Sequence, residues 1–380
     1  MATLVVVVLV LLGGAGWYYA DQLLPTVAWA PPALDLEVTA VDGDTVSLAR
    51  TGDTESYVDV GTPGVYGLRY RIGYARVGEV LEGETPGAVG TRATRRLEVL
   101  VGEPPTTDEP ATTEAYAVPS SVEDVATATG VPFTEVALDC PAGTCPAWVA
   151  PGTDDTWAIA VHGRGASLAE GARALAIAHG LGMPVLSASY RGDGIATAPE
   201  DGLNRFGYAE WEDVEAAIAY ALEQGAADVV LVGHSQGGAV TAQLLRRSEL
   251  ADEVVAVVWD SPLLAWLPTL RVQAAARGVP DGAMGPLLAA TGVVSRVRAG
   301  LPFGELDQID AADAFDVPVL LFHGTADTSV PVSSSDAFAE ARPDITTYVR
   351  LDGVEHVRAW NHDPAAYADA VTTHLAPFVD

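Results

Sequence analysis

Two rhythms of apolar and polar positions divide this chain. From about position 131 onward, short unbroken apolar runs alternate with longer stretches whose apolar residues recur every three to four positions. Runs at 133–138, 148–150, 157–161, 184–189, 229–232, 254–259, 318–322 and 346–351 predict strands, because short apolar runs bounded by turn signals suit strands buried on both faces. Stretches 168–179, 210–224, 236–247 and 364–378 predict helices, and 210–224 carries Glu and Asp in its first turn, where the helix dipole favours them. Parallel strands need crossovers. The prediction for 131–380 is therefore an α/β domain with a mostly parallel eight-stranded sheet and helices on both faces. Its first two strands are expected to form an antiparallel hairpin.

Before position 131 the pattern changes. Residues 35–102 show short alternating runs (LEVTAV, TVSLA, YVDV, LRYRIGYARV, RLEVLV) between DG, TGD, TPG and EGETPG turn signals, which predicts a small β-rich module. Residues 103–130 begin rich in Pro, Thr and Glu and predict a linker. No motif in 21–130 carries chemistry, and no internal repeat is visible.

Residues 2–20 form an almost unbroken apolar run. As a helix rising about 1.5 Å per residue, the run nearly spans a hydrocarbon core of about 30 Å. Trp17, Tyr18 and Tyr19 stand at its end, where an aromatic belt belongs. No basic residue precedes Arg50, and the run ends in bulky aromatics rather than a small-residue cleavage site. The reading is an uncleaved single-pass membrane anchor over 1–24, with a cleaved signal peptide or a buried core helix as the alternatives. Asp21, Asp35 and Glu37 favour an exported carboxyl-terminal body, and the Pro-rich 21–34 becomes a membrane-proximal spacer. The only two cysteines, Cys140 and Cys145, flank a Pro-Ala-Gly-Thr turn. Export makes a disulfide there the expectation, with reduced thiols the alternative, and two cysteines are too few for a structural zinc site.

Composition narrows the function classes. Hydrophobic residues make up 49% of the 380, enough for a large core. The balance of 20 basic against 51 acidic residues gives a formal charge of −31, which excludes a phosphate-tracking nucleic-acid surface and a polybasic lipid-binding stretch. Every basic residue is Arg, so mechanisms that need a lysine, such as pyridoxal phosphate Schiff bases and Walker A loops, are excluded as well.

The sharpest motif is Gly233-His234-Ser235-Gln236-Gly237, directly after an apolar strand and directly before a helix. That is the setting of a nucleophile elbow, in which a strained strand-to-helix turn lifts the serine hydroxyl above the sheet. A serine needs a base, and the base needs an orienting acid. Asp327, after the strand ending at 322, and His356, after the last strand, stand in the order Ser, Asp, His. Asp260 competes as the acid and His362 as the base, whereas His323 and His234 are expected to pack or hydrogen-bond in place. Charge building on a carbonyl oxygen needs amide donors. Those of Gln236 and of Arg164, in the glycine-rich loop Val161-His162-Gly163-Arg164-Gly165, are the candidates for an oxyanion hole.

With these segments the chain resembles the α/β-hydrolase superfamily over about 131–380. The resemblance rests on the HGRG loop, Ser189-Tyr190-Arg191-Gly192-Asp193-Gly194, the GHSQGG elbow and HGTADTSVP followed by GVEH. The SYRGDG segment is similar to that of the serine-aminopeptidase-like branch. The resemblance implies an acyl-enzyme mechanism with Ser235, Asp327 and His356 catalytic, Arg164 and Gln236 holding the oxyanion, and neither metal nor cofactor. It also implies a lid over about 261–316, rich in Leu with Trp266, above the serine. Gly163, Tyr190 and Trp266 are the substrate-binding candidates. The expected substrate is a small-molecule or lipid-like acyl ester, with a peptide as the runner-up and a non-catalytic binding module as the reading from another class.

Overall fold

A computed structural model of the chain describes residues 2–51, 60–83 and 91–379. The first element is a helix, α1 (Ala2–Leu23). Strands β1 (Leu36–Asp42), β2 (Thr45–Arg50), β3 (Tyr66–Tyr70), β4 (Gly73–Gly83), β5 (Arg92–Gly102) and β6 (Pro110–Glu114) then close into a barrel in the order β1-β2-β5-β4-β3-β6. Alternation drives the closure: Leu36, Val38, Val46, Leu48, Leu68 and Val77 point inward and are buried. Arg95 is also fully buried there, and its guanidinium donates to the carbonyls of Val60, Gly64 and Gly78. The expected strand at 57–60 falls, but for Val60, outside the described residues.

Two sequence expectations fail in this half. The linker at 103–130 contains β6, which pairs with both β1 and β3, and a capped helix, α2 (Val122–Thr129). A barrel without β6 would leave two strand edges unpaired, and that tertiary demand overrides the loop-like composition. The membrane-spanning helix is the second. Among the described residues no helix is long and apolar enough to cross a membrane. Instead α1 lies against a later helix, and the segment after it is no spacer, because it runs across the loops around Ser235.

The larger unit is the expected α/β domain. Its strands are β7 (Thr134–Cys140), β8 (Gly143–Ala150), β9 (Thr156–Val161), β10 (Val185–Ala188), β11 (Asp228–His234), β12 (Val254–Asp260), β13 (Val319–Gly324) and β14 (Thr346–Leu351). They form one eight-stranded sheet in the order β14-β13-β12-β11-β9-β10-β8-β7, parallel from β14 to β10. β7 and β8 make the antiparallel hairpin, with Cys140 and Cys145 joined as a disulfide at its turn.

Helices α3 (Ala172–Gly180), α4 (Trp211–Glu223), α5 (Gln236–Arg247), α6 (Trp266–Ala276), α7 (Asp281–Ala299), α8 (Ser333–Ala341), α9 (Ala359–His362) and α10 (Pro364–Leu375) complete it. Two cores cover the two faces of the sheet, one built around Trp259, Ile159 and Phe338, the other around Phe322, Leu175 and Val232. The insert after β12 holds α6 and α7, which rest over the carboxyl ends of the strands with Phe206, Ala20 and Leu24. Asn361 of α9 fastens the barrel to this domain. Its amide donates to the carbonyls of Val65 and Ala115, and its own carbonyl accepts from Val65 N–H.

Candidate active site

β11 ends at His234, and the chain reverses into α5 through Ser235, whose φ of +50° and ψ of −113° lie outside the ordinary L-residue regions. The reversal is so tight that a side chain at Gly237 would collide with the Val161 carbonyl, which explains the glycine. The strain lifts the Ser235 hydroxyl to within 2.9 Å of His356 Nε2. The other nitrogen of the ring, Nδ1, lies 2.6 Å from Asp327 Oδ2. Three loops, after β11, β13 and β14, thus bring Ser235, Asp327 and His356 into one hydrogen-bonded chain.

Asp327 is held by more than His356. Its Oδ1 accepts the amides of Ser329 and Val330, each at 2.8 Å, and His323 Nε2 lies 3.1 Å from Oδ2. Burial works to raise this carboxyl's pKa, but hydrogen bonds from His323, His356 and the Val330 amide outweigh it and hold the group well below its ordinary 3.8. His323 packs and bonds in place, as its sequence context predicts, with Nδ1 at 2.7 Å from Ser335 Oγ. Asp260 makes no bond to His356. Its Oδ1 accepts from Ser261 Oγ, which in turn accepts the Val357 amide and so anchors the loop carrying His356. His362 sits exposed in α9.

The glycine-rich loop after β9 passes beside Ser235, and a Cβ on Gly163 would lie 3.1 Å from that of Ser235. Arg164 and Gln236 both border the cavity above the serine, and the Gln236 amide is the first of α5, which has no partner within its helix. A buried network props the loop from below. Glu170 accepts the Gly163 amide at 2.6 Å, and the Tyr190 hydroxyl donates to the carbonyls of His162 and Gly163. His162 Nε2 meets Asp193 Oδ2 at 3.2 Å. Tyr190 is 1% exposed, so the expectation that it touches substrate is corrected: it supports the loop instead.

Two cavities meet at Ser235 and His356. One, of about 390 Å³, is walled by Leu263, Trp266, Leu270, Leu287 and Leu288 of the insert and by Tyr19 and Leu23 of α1. The other, of about 420 Å³, is more polar and includes Gly163, Arg164, Glu355 and Arg358. It also includes Thr113 and Glu114 of the barrel and Trp29. Sequence reasoning missed the contribution of the first 32 residues and of β6. Nothing local marks it. Only the fold brings Arg164 Nη2 onto the carbonyls of Leu23 and Pro25, at 3.0 and 2.9 Å. Gly165 and Gly194 then leave room for Val27 and Ala28.

Residues 37–113, most of the barrel, match a domain of unknown function, DUF8805. No curated protein sequence matches the chain. Among solved structures, the Pyrococcus furiosus esterase Pf2001 is similar at 16% identity and a TM-score of 0.53, covering 67% of this chain and 94% of that one. A Mycobacterium tuberculosis puromycin-hydrolyzing peptidase is 21% identical with a TM-score of 0.49, covering 88% of this chain and 47% of that one. Likeness at such identity speaks for the fold alone. The sequence profile described as the alpha/beta hydrolase family matches residues 158–370, more than half of the chain, and together with the sheet order and the elbow it identifies the protein as a member of the alpha/beta hydrolase family.

Proposed function

We propose that the protein is a serine hydrolase that cleaves carboxylic esters with an apolar acyl part and a polar alcohol part. The observation that carries this reading is the chain Asp327–His356–Ser235 opening at its serine onto one apolar and one polar cavity. Ser235 Oγ attacks the acyl carbon as its proton passes to His356 Nε2, and Asp327 steadies the imidazolium. The amides of Arg164 and Gln236 hold the oxyanion. The leaving alkoxide takes the proton from His356 Nε2, and water repeats the sequence to free the acid. A peptide substrate is the second reading, favoured by the Glu355 carboxylate in the polar cavity, which suits an amino terminus.

The location proposed is outside the cytoplasm. The Cys140–Cys145 disulfide supports it, since such bonds persist in oxidising compartments, and alkylation of both cysteines in the native protein would remove that support.

The test uses the full chain, because residues before 35 wall the cavity. A fluorophosphonate is expected to label the parent and not Ser235→Ala. Absence of labelling on a folded parent overturns the reading and moves a non-catalytic binding module to the front. On the labelled parent, a screen of esters against aminoacyl anilides decides between ester and peptide.

A further inference from the structure

Helix α1 is apolar all round in sequence, yet from Val10 to Leu23 one face is packed while other residues stand exposed. On that face Gly16 lies against Ala290 of α7, Ala20 is buried with Met284 and Leu288, and Asp21 pairs with Arg298 at 3.1 Å. Outside that face Val10, Leu11, Trp17 and Tyr18 are between 54% and 68% exposed, and the Arg298 guanidinium lies 4.7 Å from the Trp17 ring. The outward face of α7 continues this surface with Val293 at 65% and Val297 at 79%, and Leu267 of α6 extends it. Seven of the twelve exposed large apolar residues among the described residues therefore lie on three helices, of which α7 packs against both α1 and α6. A soluble surface rarely gathers so much apolar area without a partner.

The charge of this side is also unlike the rest. In a chain of net −31, helices α6 and α7 carry Arg271, Arg296 and Arg298 against a single acid, Asp281, with Arg298 paired to Asp21 of α1. Arg271 and Arg296 border one surface hollow of about 580 Å³ between the two helices, with Glu305 the one acid in its lining. Neither makes an ion pair among the described residues. The two arginines are 25 positions apart in sequence, so no basic stretch announces them, and only the folded insert gathers them. At physiological salt, charges beyond about 8 Å are largely screened, so an approaching surface is affected mainly by this face and little by the distant acids.

We propose that the α1–α7 face docks on an anionic phospholipid bilayer, with Arg271 and Arg296 taking the headgroup phosphates and the apolar stripes entering the acyl boundary. Arginines bordering aliphatic and aromatic side chains match that interface. A second copy of the chain fits less well, since it would bring the same positive face against itself. The same helices wall the apolar cavity at Ser235 through Tyr19, Leu23, Leu287 and Leu288. Docking therefore places that cavity beside the bilayer, and the acyl chain of a lipid ester passes between α1 and the insert to reach the serine. This second step rests on the hydrolase reading above, whereas the docking does not.

The test is flotation of the full-length protein with vesicles of phosphatidylcholine, alone or with phosphatidylglycerol added. Hydrolysis is followed in parallel on a water-soluble short-chain ester and on a long-chain ester embedded in the vesicles. The parent is expected to float with the anionic vesicles and to be released by salt. The pairs Val293→Glu with Val297→Glu, and Arg271→Glu with Arg296→Glu, are each expected to lower binding at least about tenfold. Turnover of the soluble ester is expected to stay unchanged while turnover of the embedded ester falls with binding. Equal binding by parent and variants, or none by the parent, overturns the proposal. A dimer broken by the same substitutions, without vesicle binding, also overturns it. Vesicle binding by a parent that turns over neither ester supports the docking and overturns the hydrolase reading together with the delivery step.

Discussion

Asp327 carries its charge into strongly acid solution, and this has a stability consequence with a definite sign. Its folded pKa lies below the unfolded value of 3.8. The ionised carboxylate thus stabilises the fold at pH above about 4, and the contribution is lost as pH falls toward the folded value. Asp327→Asn is expected to show a shallower loss of stability than the parent below about pH 4 in acid-unfolding curves. Turnover by the same variant is expected to drop about 10³- to 10⁴-fold at neutral pH while the protein stays folded. That Ser235, Asp327 and His356 meet in one hydrogen-bonded chain was legible because their order and their strand-end positions are local facts of sequence. Tyr190 was misread for the opposite reason. A motif names a segment, but only packing decides that its phenol turns under the loop after β9 rather than into the cleft.

At the scale of elements, the legible parts are those whose pattern is self-contained. The strands β9, β11, β12 and β13 are unbroken apolar runs, and α5 begins at the glycine-bounded turn that ends β11. The hairpin β7–β8 was legible from its turn and its two cysteines. Its disulfide closes a loop of sequence separation five, for which loss of chain entropy gives about 2 kcal/mol. Replacing both cysteines by Ala is expected to lower the melting temperature by about 3–4 °C in calorimetry, with ester turnover at room temperature unchanged. Strand β6 was not legible. Its sequence, PATTE, is short and begins with proline, and it becomes a strand only because β1 and β3 each offer it an edge. Helix α1 was legible as a helix and misjudged in its surroundings, since an apolar stripe does not say whether lipid or protein covers it.

For the whole molecule, the active cleft is assembled from three parts: the α/β domain, the closing strand of the barrel, and the first 32 residues. Deleting residues 1–32 removes Tyr19, Leu23 and Trp29 from the cavity walls and both carbonyl partners of Arg164. The truncated protein is expected to unfold cooperatively, its far-ultraviolet helical signal reduced only by the share of α1, and to lose at least about tenfold in kcat/KM toward esters with long acyl chains, with a smaller loss on acetyl esters. Equal losses on both would point to disruption of the serine's surroundings rather than of the acyl wall.

The clasp between Arg164 and the backbone at Leu23 and Pro25 also sets a timetable. Its partners are separated by about 140 positions, and the Asp21–Arg298 pair by 277. Contacts so distant along a chain form only after the intervening segments have condensed. Helix α1 is therefore among the last segments to reach its place, and the cavity beside Ser235 gains its α1 wall as a closing event of folding. In stopped-flow refolding of a variant that keeps Trp259 as its only tryptophan, the fluorescence of that buried core is expected to recover before fluorophosphonate reactivity does. An Asp21→Asn/Arg298→Gln pair is expected to lengthen that interval without moving the fluorescence phase.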